Sequence, residues 1–287
     1  MIYTVVVLHY KTIRDTKECI NSILELCCDT SQDKIHIVVV DNGSADYSYE
    51  MLKKTYQGDS NIHIIKNKEN LGFARGNNVG FVYAKNKLKS DFIILLNNDT
   101  VVRQKDMLKV IYSLYERYDF AVLGPDIITA DGYHQNPTHI TKWTIKSLKK
   151  CRLKQRVKYI FTFFGLDKFF IRNDNHMQYK KKIDKNIVGA DLHGACLIFS
   201  PIYITKFNGL CDRTFLYMEE DILKLYIEKH NMISLYSHEI EIYHKEDMAT
   251  KKIHQSERKR KLSKYQQWIA SSYVYEEEYR KLNGKDG

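Results

Sequence analysis

Acids and amides stand in this sequence at the points where short apolar runs stop. Phe92-Ile-Ile-Leu-Leu96 is followed at once by Asn97-Asn98-Asp99. A carboxylate just past a buried strand has a fixed backbone and open space in front of it. That suits a hard divalent cation and the phosphate oxygens such a cation attracts. The same tripeptide also makes an ordinary Asx-turn, so alone it supports either reading. The stretch Glu69-Asn-Leu-Gly-Phe-Ala-Arg-Gly-Asn-Asn78 offers Gly72 and Gly76, where a backbone can approach a ligand, and Arg75, which can neutralise a phosphate. It lacks the order of a P-loop, and an exposed arginine at a helix start is the plainer alternative. Phe215-Leu-Tyr-Met-Glu-Glu-Asp221 gathers three acids at the opening of a helix. The helix dipole favours acids there, while a base that accepts a hydroxyl proton needs one of them free. His244, within Ile242-Tyr-His-Lys245, is ambiguous on its own.

The elements that must position these residues follow from the apolar pattern. Tyr3–Leu8, Ile35–Val40, Ile62–Lys66 and Asp91–Leu96 read as buried strands. Helical spacing is expected over Thr12–Leu26, Ala45–Tyr56 (capped by Ser44), Phe73–Lys87 and Gln104–Tyr118, with a strand at Phe120–Leu123. Strand–helix alternation implies right-handed β-α-β units and a mainly parallel sheet with helices on both faces. Ligands bind beyond the carboxyl ends of such strands, so the turns at Asp41 and Asp99 should share one crevice. A strand at Ala195–Phe199, a helix reached from Phe215 and ending at His230, an extended Ile233–Tyr243 and a polar helical tail from Lys251 to Leu282 complete the reading. The region Thr138–Lys185 is basic and aromatic, with Phe161-Thr-Phe-Phe164 and Phe169-Phe170 between lysine clusters, and shows no clear periodicity.

Composition sets further limits. The 287 residues are 44% hydrophobic, enough for a substantial core, yet no run approaches the roughly 18 apolar residues of a membrane helix. The opening lacks the pattern of a secretory signal, so a cytoplasmic protein is expected. Six cysteines without a C-x-x-C pair argue against a zinc site and for reduced thiols. The formal charge is +10, with eight Lys or Arg and no acid from Lys142 to Lys158, and a second basic run from Lys245 to Lys264. Such patches fit an anionic partner or a solvated lysine-rich surface equally well.

Taken in order, Val40-Asp-Asn-Gly-Ser44, the Glu69–Asn78 segment, Asn97-Asn98-Asp99, Gly189-Ala-Asp-Leu-His-Gly-Ala195 and Phe215–Asp221 resemble glycosyltransferase family 2, the inverting enzymes of GT-A fold. The likeness runs from Tyr3 to about His244 and is greatest to the branch that builds rhamnose-containing and other bacterial surface polysaccharides. It implies an α/β, Rossmann-like GT-A domain with a basic insertion at 138–185. Residues 1–125 would form the nucleotide-sugar half, 126–245 the acceptor-binding and catalytic half, and 246–287 a helical tail. It also implies a donor set of Asp41, Asn42, Asn70, Gly72, Arg75 and Asn98, and a Mn²⁺ or Mg²⁺ ion held by Asp99 and His244. Asn97 stands where the family's D-x-D motif has its first acid. Asp191 and His193 would line the acceptor side. The family's Glu-Asp pair falls on Glu219-Glu220 or Glu220-Asp221 according to alignment, so Glu220 is the expected base, with Asp221 and Glu219 as its alternatives.

The implied reaction is a single displacement from a nucleoside-diphosphate sugar onto a hydroxyl of a glycan or lipid-linked saccharide. The basic segments then offer contact with the inner face of an anionic membrane, while the tail, with Tyr265, Trp268, Ile269, Tyr273 and Tyr279, offers a homodimer contact instead. A sugar nucleotidyltransferase would show a glycine-rich loop where this chain has His9-Tyr-Lys-Thr-Ile-Arg14. A nucleic-acid-binding protein would not need buried strands ending in acids, so no nucleic acid is expected. A nucleotide-sugar-binding pseudoenzyme would bind donor and fail to transfer.

Overall fold

The computed structural model describes residues 1–28, 32–138, 143–166, 182–245 and 256–284. Phe169-Phe170, Lys142 and the 246–255 part of the second basic run lie outside the described residues. The first elements are β1 (Ile2–His9), α1 (Ile13–Leu24), β2 (Lys34–Asp41), α2 (Ser48–Thr55), β3 (Ile62–Lys66), α3 (Phe73–Tyr83) and β4 (Phe92–Asn97). Then come β5 (Thr100–Val102), α4 (Met107–Tyr118), β6 (Val122–Thr129), α5 (Ile145–Phe163), β7 (Ile187–Val188) and β8 (Cys196–Phe199). The chain closes with α6 (Pro201–Lys206), α7 (Glu219–Lys229), β9 (Ser234–His244) and α8 (Glu257–Asn283).

All nine strands join one sheet in the order β3-β2-β1-β4-β8-β6-β9-β5, with β7 paired to β9. Six strands run the same way: β1 to β4 pair in parallel, β6 is restored to that direction through the antiparallel β8, and β9 follows β6. The period of two in β1 explains the double-sided burial. Tyr3, Val5 and Val7 pack with α1 and α4, while Val6 packs with α3, α6 and α7 on the other face. The register pairs His9 with Asp41 and Leu8 with Asn97. The expected polar turns therefore leave the sheet along one edge.

Several boundaries differ from expectation for physical reasons. Ser44 does not cap α2: its N–H donates to Asp41 Oδ1 at 3.1 Å, its hydroxyl accepts from the Lys11 N–H at 3.0 Å, and the helix begins at Ser48. After Tyr83, α3 widens into a π-turn over Ala84–Leu88. The strand expected at Phe120–Leu123 runs on to Thr129 because β9 pairs with it, across a bulge at Pro125/Asp126. In the basic region the 19-residue α5 forms behind a Thr144/Ser147 capping box. Its period was hidden because apolar residues lie on both its packed and its outward faces.

Helix α5 pairs with α8 to make a helical layer outside α7. Trp143 meets Trp268 edge-on at 6.0 Å between ring centres, and the buried Arg152 donates to Ser272 Oγ (2.7 Å), to the Ser272 carbonyl (2.8 Å) and to Glu276 (2.8 Å). Tyr275 joins the core of Met218 and Ile222. Of the tail residues that suggested a dimer contact, Trp268 and Tyr279 pack against this core, while Tyr273 is exposed. All six cysteines are free. No helix among the described residues is long and apolar enough to cross a membrane.

Candidate active site

The carboxyl edge of the sheet carries three clusters. The first is the turn after β2. Asp41 is fully buried, and its Oδ2 has no hydrogen-bond partner among the described residues. Beside it, Asn42 uses its whole side chain. Its Nδ2 donates to Asn70 Oδ1 and the Gly72 carbonyl, both at 3.0 Å, and its Oδ1 accepts from Asn67 Nδ2 and the Leu71 N–H, both at 3.1 Å. Asn70 also accepts from the Gly72 N–H at 2.9 Å. Asn42 and Asn70 therefore build the loop after β3. Gly72 sits at φ +83°, and a Cβ there would lie 2.2 Å from the Phe215 carbonyl oxygen. The backbone it admits is the protein's own rather than a ligand's: Phe73 N–H donates to that carbonyl at 2.8 Å. Gly76 likewise gives room to Leu8.

The second cluster is the corner formed by β4 and β9. Asn98 turns inward and donates to the hydroxyls of Thr12 (2.6 Å) and Thr16 (2.9 Å), strapping the turn to α1. Asp99, largely buried, places Oδ1 3.2 Å from His244 Nε2. The backbone completes the corner, with Lys245 N–H donating to the Asp99 carbonyl at 3.0 Å. On the other side of the ring, His244 Nδ1 lies 2.7 Å from Gln135 Oε1. A carbonyl oxygen only accepts, so Nδ1 carries the proton and Nε2 faces a carboxylate oxygen. Two acceptors at that separation need a proton or a cation between them.

The third cluster is the acid turn. Gly194 links it to the corner: its N–H donates to Glu220 Oε1 at 3.0 Å, while the next residue, Ala195, accepts from the Asn97 N–H at 2.9 Å. A Cβ on Gly194 would fall 2.4 Å from that carboxylate oxygen, so a larger residue there would push the Glu220 carboxylate out of this position. The preceding His193 is held through its N–H by Asn136 Oδ1 at 2.7 Å, and its ring centre lies 6.1 Å from that of His244. The turn entering α7 is strained, with Tyr217 at φ +74° and Met218 at φ +70°.

Three adjacent carboxyls on one helical turn repel each other and lose water. Burial, then the neighbouring Glu220, pushes Glu219 up to about 8, and its Oε1 has no hydrogen-bond partner among the described residues. Burial, then Glu220, lifts Asp221 to about 7, against the opposing effect of the Trp143 indole, which donates to Asp221 Oδ1 at 3.1 Å. Burial also raises Glu220, while the Gly194 N–H pulls the other way. Taken as whole residues Glu219 is buried and Glu220 half-buried, but the Glu220 carboxyl itself is enclosed. Such crowding is typical of groups that must exchange protons near neutral pH.

Not every expected residue joins these clusters. Asp191 pairs with Lys224 at 3.2 Å and faces, with Asp221, a recess of ≈ 470 Å³ walled by Trp143, Tyr275 and Tyr279. The two expected acceptor residues are thus divided, Asp191 in the recess and His193 beside the corner. Arg75 is exposed and lines a separate groove with Asn208, Arg213 and Tyr226. Sequence reasoning missed Gln135, Asn136 and Trp143. The Asn136-Pro137 pair signalled a turn, but nothing in the sequence tied that turn to His193 and His244.

A mostly parallel α/β sheet with acids and a histidine along its carboxyl edge defines a GT-A-like architecture. The chain belongs to glycosyl transferase family 2, whose sequence profile matches residues 4–178. It is 22% identical over 217 residues, 76% of this chain and 58% of the relative, to the low-salt glycan biosynthesis hexosyltransferase Agl10 of Haloferax volcanii. It is 27% identical over 120 residues, 42% of this chain and 37% of the relative, to the glycosyltransferase GlyG of Streptococcus pneumoniae serotype 4. The chain therefore spans less than two thirds of the length of either. In structure it resembles S. aureus TarS 1-349 in complex with UDP, with a TM-score of 0.55 at 12% identity, covering 96% of this chain and 66% of that one. It also resembles GalNAc-T7 with UDP, GalNAc and Mn²⁺, with a TM-score of 0.57 at 11% identity, covering 85% of this chain and 44% of that one. Both likenesses concern the fold.

Proposed function

We propose that this chain is an inverting glycosyltransferase that moves a hexosyl group from a nucleoside-diphosphate sugar to a hydroxyl of a glycan or lipid-linked saccharide. The observation that carries the reading is the His193–Ala195 bridge, which joins the Glu220 carboxylate to the Asp99–His244 corner along one edge of the sheet. Nucleotide chemistry has a seat at the same edge, where Asp41 keeps a buried carboxylate oxygen with no hydrogen-bond partner among the described residues. The UDP in the TarS structure, and the UDP-GlcNAc in a second TarS structure of TM-score 0.54, belong to that protein but favour the same donor class here.

The corner fits a divalent cation by the chemistry of its donors. Asp99 Oδ1 and His244 Nε2 face each other, and the ring's other nitrogen is committed to Gln135. Among the described residues no set of three or more His, Cys, Asp or Glu side chains forms a complete metal cage. Two protein ligands leave positions for diphosphate oxygens and water, as Mg²⁺ and Mn²⁺ sites on phosphates commonly do. When bound there, the ion would offset the charge growing on the leaving diphosphate.

The chain's own residues supply the rest. Glu220 accepts the acceptor's hydroxyl proton as that oxygen bonds to the anomeric carbon. The bond from carbon to phosphate oxygen breaks on the opposite side, and the nucleoside diphosphate departs with the electron pair. Gly194 N–H steadies the Glu220 carboxylate at one oxygen, leaving the other for the proton. Of the three acids only Glu220 is tied by the Gly194 N–H to the segment that leads to the corner, and Asp221 is turned to Trp143, which favours Glu220 as the base.

A thermal-shift screen of nucleoside diphosphates and their sugars, with and without Mn²⁺, tests the reading. One base should raise the melting temperature in a Mn²⁺-dependent way, and Asp99→Ala should abolish that dependence while leaving the protein folded. If the metal dependence survives in the variant, Asp99 does not hold the ion.

A further inference from the structure

The hairpin of α5 and α8 has two unlike ends. At its base, Glu276, Glu277 and Glu278 on α8 hold Arg152 and Arg213, and Trp143 and Tyr275 pack into the protein. At its far end the apolar side chains are left in water. Of the fourteen large hydrophobic side chains exposed among the described residues, six fall between 153 and 166: Leu153, Val157, Ile160, Phe163, Phe164 and Leu166. Leu153 is 62% exposed and Phe164 69%. Positions 153, 157, 160 and 164 recur at helical spacing and so form one stripe along the outward side of α5. Scattered exposed hydrophobics are normal on a soluble surface, but a contiguous stripe marks a contact.

The surroundings of the stripe define its occupant. Residues 143–166 carry seven Lys or Arg and no acid. Lys149, Lys150, Lys154 and Arg156 are exposed around the stripe. The facing start of α8, residues 256–264, adds Arg258, Lys259, Arg260, Lys261 and Lys264 against the single acid Glu257. Arg258 donates to the Thr162 carbonyl at 3.0 Å and also to that of Phe163, which joins the two cationic segments at the same end. A second copy of this chain would bring one cationic rim against another. A protein partner would need acids spread along a groove, and α5 presents a convex ridge. An apolar ridge between cationic flanks matches the boundary between anionic headgroups and acyl chains.

We propose that the far end of the α5–α8 hairpin is a docking surface for an anionic lipid bilayer, with Leu153, Val157, Ile160 and Phe164 entering the headgroup–acyl boundary and the flanking lysines and arginines at the phosphates. The inference is independent of the transfer reaction, but it has a consequence for it. The hairpin's base, at the opposite end, walls the recess that contains Asp191 and Asp221, so docking by the far end would set the distance of that recess from the membrane surface.

Vesicle flotation of the full chain tests this without donor or acceptor. The protein should float with vesicles containing phosphatidylglycerol and bind pure phosphatidylcholine vesicles about tenfold less. Leu153→Ser/Val157→Ser/Ile160→Ser, at exposed positions, should abolish the binding that persists at high salt. Lys150→Ala/Lys154→Ala/Lys259→Ala should weaken binding at low salt. Both variants should keep the wild-type melting temperature and its nucleotide-dependent shift, which separates this surface from the transfer site. The proposal is overturned if the wild-type chain stays with the soluble fraction at low salt, or if the triple serine variant floats as well as wild type. It is also overturned if the stripe proves to be a dimer contact, with wild type sedimenting as a dimer and the serine variant as a monomer.

Discussion

The turn after β2 and the turn into α7 reach the same edge of the sheet and are built in opposite ways. In the first, Asn42 satisfies every hydrogen-bonding position of its side chain and fixes the loop through Asn67, Asn70, Leu71 and Gly72. In the second, two consecutive non-glycine residues take positive φ, and three carboxyls share one helical turn. Glu219 there is buried without a hydrogen-bond partner for one oxygen among the described residues. Gly72 joins the two, since it accepts from Asn42 and admits the Phe215 backbone that leads into the acid turn. A saturated turn thus supports a strained, under-satisfied one. Hydrogen bonds are concentrated in the first, and backbone strain and raised carboxyl pKa values in the second.

Substitutions on the two sides should therefore fail differently. Glu220→Gln should lower kcat by roughly 10²–10⁴-fold, the usual effect of losing a general base, with nucleotide binding and melting temperature nearly unchanged. If turnover survives in that variant and disappears in Asp221→Asn, the base has been assigned to the wrong carboxyl. Asn42→Ala should do the reverse. It strands the Asn67 and Asn70 amides and two backbone groups, costing on the order of 3 kcal/mol in urea unfolding. A loss below about 1 kcal/mol would mean that water replaces Asn42 and that the contrast between the turns is false.

What the sequence disclosed follows the same division. The parallel strands β1 to β4 were legible because each is a short β-branched run closed by a polar turn. Asp41 and Asp99 could be assigned to one edge from that pattern alone. The second half was harder because its order depends on distant partners. β5 is three residues paired with β9 across more than 130 positions of sequence. β8 enters the sheet against its neighbours' direction. Helix α5 shows no single apolar face, since Leu148 and Arg152 point to α8 and α7 while Leu153 and Val157 point outward. Among the site residues, Asp99 and His244 were legible as types, but the Gln135 contact that fixes the histidine tautomer was not. The three acids of 219–221 were legible as a cluster. Their division of labour depends on which way each side chain leaves the helix, and no spacing rule gives that at a strained start.

The finest test of the contrast uses pH. Glu219 moves from an ordinary 4.5 to about 8 in the folded protein, through burial and the adjacent Glu220. Between those values the folded chain holds a proton that the unfolded chain has released. Raising the pH through that window therefore removes stability, and the penalty is complete only above about pH 8. Glu219→Gln keeps the shape without the ionisation, so its gain over wild type should be small at pH 5 and should rise to at most about 5 kcal/mol at pH 9. Because Glu220 and Asp221 titrate with it, the change should be spread over several pH units rather than stepped at one. Urea unfolding of both proteins across that range supplies the curves. Parallel curves would show that Glu219 ionises as freely when folded as when unfolded, and the acid turn would then store none of the cost that separates it from the turn after β2.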